Sequence, residues 1–266
     1  MRAEPLAVLT DLLRDQGRSL LKWGVAVAAI STMYIGLYPS MGANGEMQAM
    51  IDNLPEAMIN AFGYDQIGTA GGWMSSTVYG LIGPLLLLVF GITAGARFIA
   101  GQEEDGTLEL ELTSPASRRA LLLQRLAVLW VGLTTLVVVI SVVAIALVMS
   151  LDLDVGMDRI AAGGIGLWLL AIGFATIAYA VGAATGRRGI ALGTAAGAAV
   201  VAFVFNAIGP TIEAGWMTAV SPFAWYLEGR PLIDGFDVQG LVLLAVIPVV
   251  FTLLAVVRFD RRDLMV

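Results

Sequence analysis

Six stretches of this chain contain no Asp, Glu, Lys or Arg, and they limit the possible fold more than any other feature. They lie at about 23–38, 77–96, 127–148, 160–184, 190–208 and 240–257, and most approach the length that a helix needs to cross a bilayer. A backbone inside lipid must satisfy its own hydrogen bonds, which favours helices. Only 14% of residues are charged, against about 25% in soluble domains. We therefore predict one all-α polytopic membrane domain, 1–266, with six transmembrane helices.

Three other segments flank these spans. Residues 4–22 alternate leucines with charges at helical spacing, which predicts an amphipathic helix on the inner membrane surface. A signal peptide is the alternative, although Tyr38-Pro-Ser-Met41 makes a poor cleavage site. Residues 42–75 contain no Lys or Arg and indicate an outer interfacial helix or hairpin, either a structural cap or a lid. Residues 209–238 are rich in Trp and Pro and indicate a re-entrant or interfacial outer loop.

The basic residues are distributed very unequally between the two sides of the six spans. Two of the fifteen, Arg159 and Arg230, fall on one side. The other side holds the remaining thirteen, which are Arg2, Arg14, Arg18, Lys22, Arg97, Arg118, Arg119, Arg125, Arg187, Arg188, Arg258, Arg261 and Arg262. Because basic loops stay in the cytoplasm, both termini and the loop at 97–125 are expected there.

Several classes of chemistry are excluded by what the sequence lacks. It has no Cys and no His, which excludes thiol nucleophiles, imidazole metal sites and Ser-His-Asp triads. Its one lysine, Lys22, follows two leucines rather than a glycine-rich loop, so the chain cannot bind nucleotide as a Walker A motif does. The charge-free spans argue against ion-coupled transport. We expect no catalytic residue, no cofactor site and no metal site in this chain.

The loop at 97–125 carries the most strongly patterned polar sequence. Glu103, Glu104 and Asp105 precede Gly106, and Thr107 is placed to cap a short helix with Glu109 in its first turn. A proline suits the first position of a second helix, so Ser114-Pro115 is a second helix start. A solvated loop between membrane spans explains the same pattern equally well.

Three motifs in this order resemble ABC-2 type transporter permeases, most closely the group that exports polyketide antibiotics. They are Glu-Glu-Asp-Gly-Thr-Leu-Glu-Leu at 103–110 with Thr-Ser-Pro-Ala-Ser-Arg at 113–118, Ser-Pro-Phe-Ala-Trp-Tyr at 221–226, and Arg-Phe-Asp-Arg-Arg-Asp-Leu at 258–264. In that family the first cytoplasmic loop carries a coupling helix that docks on an ATP-binding subunit. The resemblance thereby implies a coupling role for Glu103, Glu104, Gly106, Thr107, Leu108, Glu109, Leu110, Pro115 and Arg118.

The sequence departs from the broader family pattern at Leu110-Glu111-Leu112, where many members have consecutive leucines. Such alternation suits a strand-like joint as well as a helix, so the docking geometry stays open. A second pattern, Gly189, Gly193 and Gly197, repeats every fourth residue and allows helices to approach closely. Packing within the chain is the preferred role, and a permease dimer contact is the alternative, because the family resemblance places that contact on the first and fifth spans.

The resemblance implies the membrane subunit of an ATP-binding cassette exporter in a prokaryotic plasma membrane. It would move a hydrophobic or amphiphilic, drug-like compound outward, with ATP and Mg²⁺ bound by two copies of a separate ATPase subunit. A second permease subunit, identical or paralogous, would complete the complex. The alternatives are an ABC permease for lipid or lipid-linked glycan, and a non-transporting membrane anchor or assembly factor that docks a cytoplasmic partner.

Overall fold

The computed structural model describes residues 5–43, 45–54, 59, 64–106 and 118–261. The structure is 83% helical, and the described residues contain no strand. Within these described ranges, six helical stretches are long and apolar enough to cross a membrane. We refer to them in order as the first to sixth spans: Gly17–Gly42, Ala70–Glu104, Arg119–Ser150, Met157–Thr185, Arg188–Ile208 and Val238–Asp260. The predicted all-α fold with six transmembrane helices is confirmed.

The helical segments are not all regular α-helix. The α-helices that form the spans are Pro5–Gly36, Ala70–Met74, Gly83–Ala96, Gln102–Glu104, Arg118–Ser150, Met157–Thr185, Arg188–Ile208 and Val238–Arg261, and the shorter ones between spans are Glu46–Ile51, Gly215–Ala219 and Pro222–Leu227. Wider π-helical turns occupy Tyr38–Gly42, Ser75–Ile82 and Arg97–Gly101, and a 3₁₀ turn occupies Tyr64–Gln66. Two of the three π-helical segments lie in the second span, one on each side of its central helix.

The N-terminal region differs from the expectation of two elements. A single helix, Pro5–Gly36, includes both the predicted interfacial helix at 4–22 and most of the predicted span at 23–38. It continues through Lys22 and Trp23 because no proline interrupts the helix at that point. The side chains before Gly17 lie outside the described part, so a surface position for the first turns stays a prediction.

The fourth span lies at the centre of the bundle and packs against the second, third, fifth and sixth spans. A glycine permits the close approach of the second span. A Cβ atom added at Gly95 of that span would lie 2.5 Å from the carbonyl oxygen of Ala175, whereas one at Gly173 would lie at an ordinary contact distance of 3.5 Å from the side chain of Ile247. The first span packs mainly on the third and is exposed over much of its surface.

The segment that follows the first span has a small core of its own. Ile51, Ile67 and Trp73 are buried together, separately from the main core. The indole nitrogen of Trp73 donates to the carbonyl oxygen of Tyr34 over 2.8 Å, and the hydroxyl of Tyr38 donates to Gly68 O over 3.0 Å. These bonds join the described part of 42–75 to the ends of the first two spans, which favours a structural cap over a lid.

Candidate coupling site and transport groove

The second span does not end where the sequence pattern stops, at residue 96. It continues as the π-helical segment Arg97–Gly101 and one further turn, Gln102–Glu104, before Gly106 adopts a left-handed backbone with φ of 69°. Only glycine takes this conformation without strain. Helix thus replaces loop over 97–104 and again from 118, where we had expected one loop from 97 to 125. We call Arg97–Glu104 the coupling segment.

The predicted coupling residues are only partly within the described structure. Glu103 and Glu104 form the end of the second span, and Gly106 lies two residues beyond it. Arg118 begins the helix of the third span, although its side chain is not described. Thr107, Leu108, Glu109, Leu110 and Pro115 lie outside the described residues, so their role stays a prediction.

A polar contact joins the coupling segment to the turn between the fourth and fifth spans. Oε1 of Glu104 accepts a hydrogen bond from the backbone N–H of Arg188 at 2.9 Å. The two segments enclose a surface cavity of about 580 Å³, which is lined by Glu103, Glu104, Gly186, Arg187, Gly189 and Ile190. The sequence placed Glu104 and Arg188 on the same side of the membrane but gave no sign that they meet.

An ion pair lies at the same end of the bundle. Nε of Arg119, at the start of the third span, lies 2.5 Å from a carboxylate oxygen of Asp260, at the end of the sixth. This ion pair and the hydrogen bond between Glu104 and Arg188 both join loops that the charge distribution predicts to lie on one side. We call this end of the bundle the basic end.

Arg125 has a structural role that the sequence did not indicate, since its position suggested only a basic residue of the loop. It lies inside the third span, and its side chain is 0% exposed. Nη1 donates to the carbonyl oxygen of Phe98 at 2.5 Å. That carbonyl is available because the amide of Gln102, four residues later, donates to Ile99 O instead. Arg125 lies just outside the charge-free stretch at 127–148 but within the longer helix of the third span, and it fixes the coupling segment to that span.

The second irregular region of the same span follows from Pro84. A proline ring in a helix clashes with the carbonyl four residues earlier, and the π-helical turns of Ser75–Ile82 widen the backbone there. The amide of Gly83 donates to Val78 O, and Pro84 has no amide, so Tyr79 O lacks both usual backbone donors. The hydroxyl of Tyr226 donates to that oxygen at 3.1 Å.

Tyr226 reaches this position because the motif at 221–226 forms a short capped helix that enters the bundle. Ser221 Oγ accepts from the amide of Ala224 and donates to Ala202 O at 2.7 Å, and Pro222 occupies the first helical turn. Burial raises the pKa of the Tyr226 phenol well above its ordinary value, so the phenol stays protonated and remains a donor. A neighbouring element thus supplies the donor for a carbonyl that Pro84 leaves without its usual backbone partner.

The glycine repeat of the fifth span makes no packing contact with the part of the chain that the structure describes. A Cβ atom added at Gly189, Gly193 or Gly197 would meet no atom within 4 Å among the described residues. The buried face of this helix instead carries Ala191, Ala195, Ala199 and Ala202, which belong to the main core. Among the described residues, alanines rather than these glycines fill the side that faces the fourth span, so the role of the glycine repeat stays a prediction.

An apolar groove of about 360 Å³ lies between the second and fifth spans. Its walls are Gly80, Leu81, Pro84, Leu85, Leu88, Val89, Ile92 and Thr93 from the second span, and Leu192, Ala196, Ala199, Val200 and Phe203 from the fifth, with Phe223 beside them. The hydroxyl of Thr93 donates to Val89 O at 2.6 Å within its own helix. The groove therefore presents hydrocarbon almost throughout.

Comparison with known protein families identifies the family to which this chain belongs. A family model described as ABC-2 family transporter protein matches residues 6–264, nearly the whole chain. The chain belongs to the ABC-2 transporter family. No curated protein matches it at a significant level. As an ABC-2 permease it is a multi-pass membrane protein of a family whose members normally work with ABC ATPase subunits. The resemblance seen in the sequence motifs is thus confirmed at the level of the family.

Proposed function

We propose that this ABC-2 permease is the membrane subunit of an exporter that moves hydrophobic or amphiphilic compounds of the antibiotic type, driven by ATP that a partner subunit hydrolyses. The observation that carries the proposal is the continuity of the second span. Its helical residues, Ala70–Glu104, form one wall of the apolar groove and also end in the coupling segment. Displacement of that segment by a partner would be applied directly to a wall of the groove.

The chemistry of the groove supports an apolar cargo. Ligand sites generally combine apolar walls with a few polar groups that fix orientation. Here the lining is almost entirely aliphatic and aromatic carbon, and the hydroxyl of Thr93 is engaged within its own helix. Such a surface favours compounds with large apolar parts, as in the polyketide-exporter group that the sequence motifs resemble.

The proposed complex contains two further kinds of subunit, each of which would bind a different surface of this chain. Two ATPase subunits, which bind ATP and Mg²⁺, would dock at the basic end, on the cytoplasmic side, through Glu103 and the following residues Thr107 to Leu110 and Pro115. A second permease would pack on the exposed glycine face of the fifth span, where Gly193 and Gly197 leave open space beside the exposed Val201 and Val204. Close approach of helices at such small residues is a common mode of association in lipid.

The test begins with co-purification of the chain and its partner ATPase, followed by vanadate-sensitive ATP hydrolysis in lipid with and without hydrophobic antibiotics. Stimulation by an antibiotic is expected. The double charge reversal Glu103→Lys, Glu104→Lys should abolish the transport that accompanies hydrolysis. The matched control is Asp154→Lys, Glu228→Lys, the same change of charge on exposed residues at the opposite end.

The outcomes separate the functions considered above. Normal transport by the Glu103, Glu104 reversal at normal expression would contradict the coupling role of this segment. A stable complex that never hydrolyses ATP would contradict export and favour a docking or anchoring function. Stimulation of ATP hydrolysis by lipid but by no antibiotic would favour a lipid as the cargo over an antibiotic-type compound.

A further inference from the structure

The Glu104 carboxylate occupies a position where a negative charge is favoured at the start of the fifth span. Arg188 is the first residue of that helix, and its backbone N–H donates the hydrogen bond that Oε1 of Glu104 accepts at 2.9 Å. The first amides of a helix have no acceptor within it and form the positive end of its dipole. A carboxylate there makes a charge-assisted hydrogen bond, which is stronger than one between neutral groups.

The segments around this bond also lie within ordinary van der Waals contact of one another. A Cβ atom added at Gly101 would lie 3.7 Å from Cδ of Arg188, and one added at Gly182 would lie 3.4 Å from Cβ of Ala100. The turn from the fourth to the fifth span is short because Gly186, with φ of 65°, ends one helix and Arg188 begins the next. The start of the fifth span therefore has little freedom to move independently of the coupling segment.

The fifth span also supplies the second wall of the apolar groove, through Leu192, Ala196 and Val200. Glu104 thus lies where the two walls are joined at the basic end. We propose that Glu104 is a positioning residue that transmits displacement of the coupling segment to the fifth span, so that both walls of the groove move together. This inference rests on the proposed function for the displacement itself, but the bond and its effect on the fifth span are properties of the chain.

The backbone geometry allows the donor to be removed without disturbing the helix. Arg187 has φ of −116° and ψ of 109°, a conformation suited to the residue before a proline. Proline is also favoured at the first position of a helix, where its missing amide is otherwise unbonded. Arg188→Pro therefore deletes the hydrogen-bond donor, while Arg188→Ala controls for loss of the side chain. Glu104→Ala removes the acceptor, and Asp105→Asn removes a neighbouring exposed charge.

The first experiment uses the chain alone in lipid nanodiscs. Glu104→Ala should speed hydrogen exchange of the amides in the first turn of the fifth span about fivefold, the effect of one exposed charge-assisted bond at a helix N-terminus. Asp105→Asn should leave that exchange unchanged, and Glu104→Ala should add nothing in the Arg188→Pro background. Equal exchange in Glu104→Ala and the unsubstituted chain would overturn the inference.

The second experiment uses the complex with the ATPase and measures doxorubicin uptake into inverted vesicles per ATP hydrolysed. Glu104→Ala and Arg188→Pro should each lower this ratio about fivefold with little change in hydrolysis, and the double variant should be no worse, because both remove one bond. Glu104→Gln, which keeps an acceptor oxygen, should restore part of the ratio, whereas Arg188→Ala and Asp105→Asn should match the unsubstituted protein.

The two experiments separate failure of the inference from failure of the proposed function. A normal ratio in Glu104→Ala, or additive losses in the double variant, would overturn the transmission role. Unsubstituted complex that hydrolyses no ATP would overturn the exporter, while the exchange experiment would still decide whether Glu104 holds the fifth span. Every variant is expected to unfold cooperatively within a few degrees of the unsubstituted protein, the shift that loss of one hydrogen bond allows, and this rules out misfolding as the cause.

Discussion

The bond between Tyr226 and the carbonyl freed by Pro84 makes a quantitative prediction. Tyr226→Phe removes a hydroxyl that is buried within the protein and lies 3.1 Å from Tyr79 O. The carbonyl then has no donor, because Pro84 lacks an amide and Gly83 donates to Val78 O. Pro84→Ala restores an amide five residues after Tyr79, which is the donor position in a π-helical turn. The two substitutions should therefore compensate each other.

The magnitude follows from the environment of Tyr79 O. An unsatisfied buried carbonyl costs about 1–3 kcal/mol, whereas loss of an ordinary hydrogen bond costs about 1 kcal/mol. Tyr226→Phe should therefore lower the free energy of unfolding by about 2 kcal/mol in the natural background and by less than about 1 kcal/mol in the Pro84→Ala background. Because burial raises the pKa of the Tyr226 phenol, this difference should be constant at every pH below the ordinary tyrosine value of 10.0 and decline above it, where the unfolded phenol ionises.

The assay is unfolding by SDS in mixed micelles, followed by tryptophan fluorescence, for the two single variants and the double variant. Tyr38→Phe is the matched control, because its hydroxyl donates to Gly68 O over 3.0 Å and has no relation to Pro84. Its cost should be the same in both backgrounds. Equal costs of Tyr226→Phe with and without Pro84→Ala would refute the reasoning that the proline creates the need for this tyrosine.

Two further predictions concern the exposed and buried parts of the spans. Gly193→Leu should abolish association of two permease chains, measured by light scattering in nanodiscs, without lowering the stability of the monomer, because the site faces open space; Val246→Leu on the exposed face of the sixth span should do neither, and unaltered association of Gly193→Leu would argue against this face. Arg125→Ala should lower the free energy of unfolding by about 1–3 kcal/mol because Phe98 O loses its buried donor, whereas Arg119→Ala, with a side chain 69% exposed, should cost less than about 1 kcal/mol. Equal costs for the two arginines in mixed-micelle unfolding would contradict this assignment.

The number and type of the elements were predictable because hydrocarbon imposes a strong local rule. Any stretch of this length without charge must satisfy its backbone within itself, so charge-free runs and helices coincide. The same rule failed at the ends of the second and third spans. Helix continues through Arg97 to Glu104 and begins again at Arg118, because charged side chains at the basic end do not stop a helix.

The two faces of the fifth span illustrate a limit of sequence patterns. Gly189, Gly193 and Gly197 form a regular stripe, but so do Ala191, Ala195 and Ala199 on the other side. Small residues allow close packing on either face, and nothing local says which face meets the fourth span. The structure selects the alanines, since they are the residues buried in the core.

The sequence by itself determined the membrane-spanning helical fold, the side on which the basic residues collect, and the family to which the chain belongs, because composition and short motifs act locally. Only the tertiary structure decided which polar groups meet. The contacts of Glu104 with Arg188, Arg125 with Phe98 O, and Tyr226 with Tyr79 O join positions 84, 27 and 147 residues apart. In each case one partner is a backbone N–H or carbonyl group. Every residue except proline carries both groups, so the sequence does not show which of them will lack a backbone partner. Only the packing of the spans decides which backbone group bonds to a side chain.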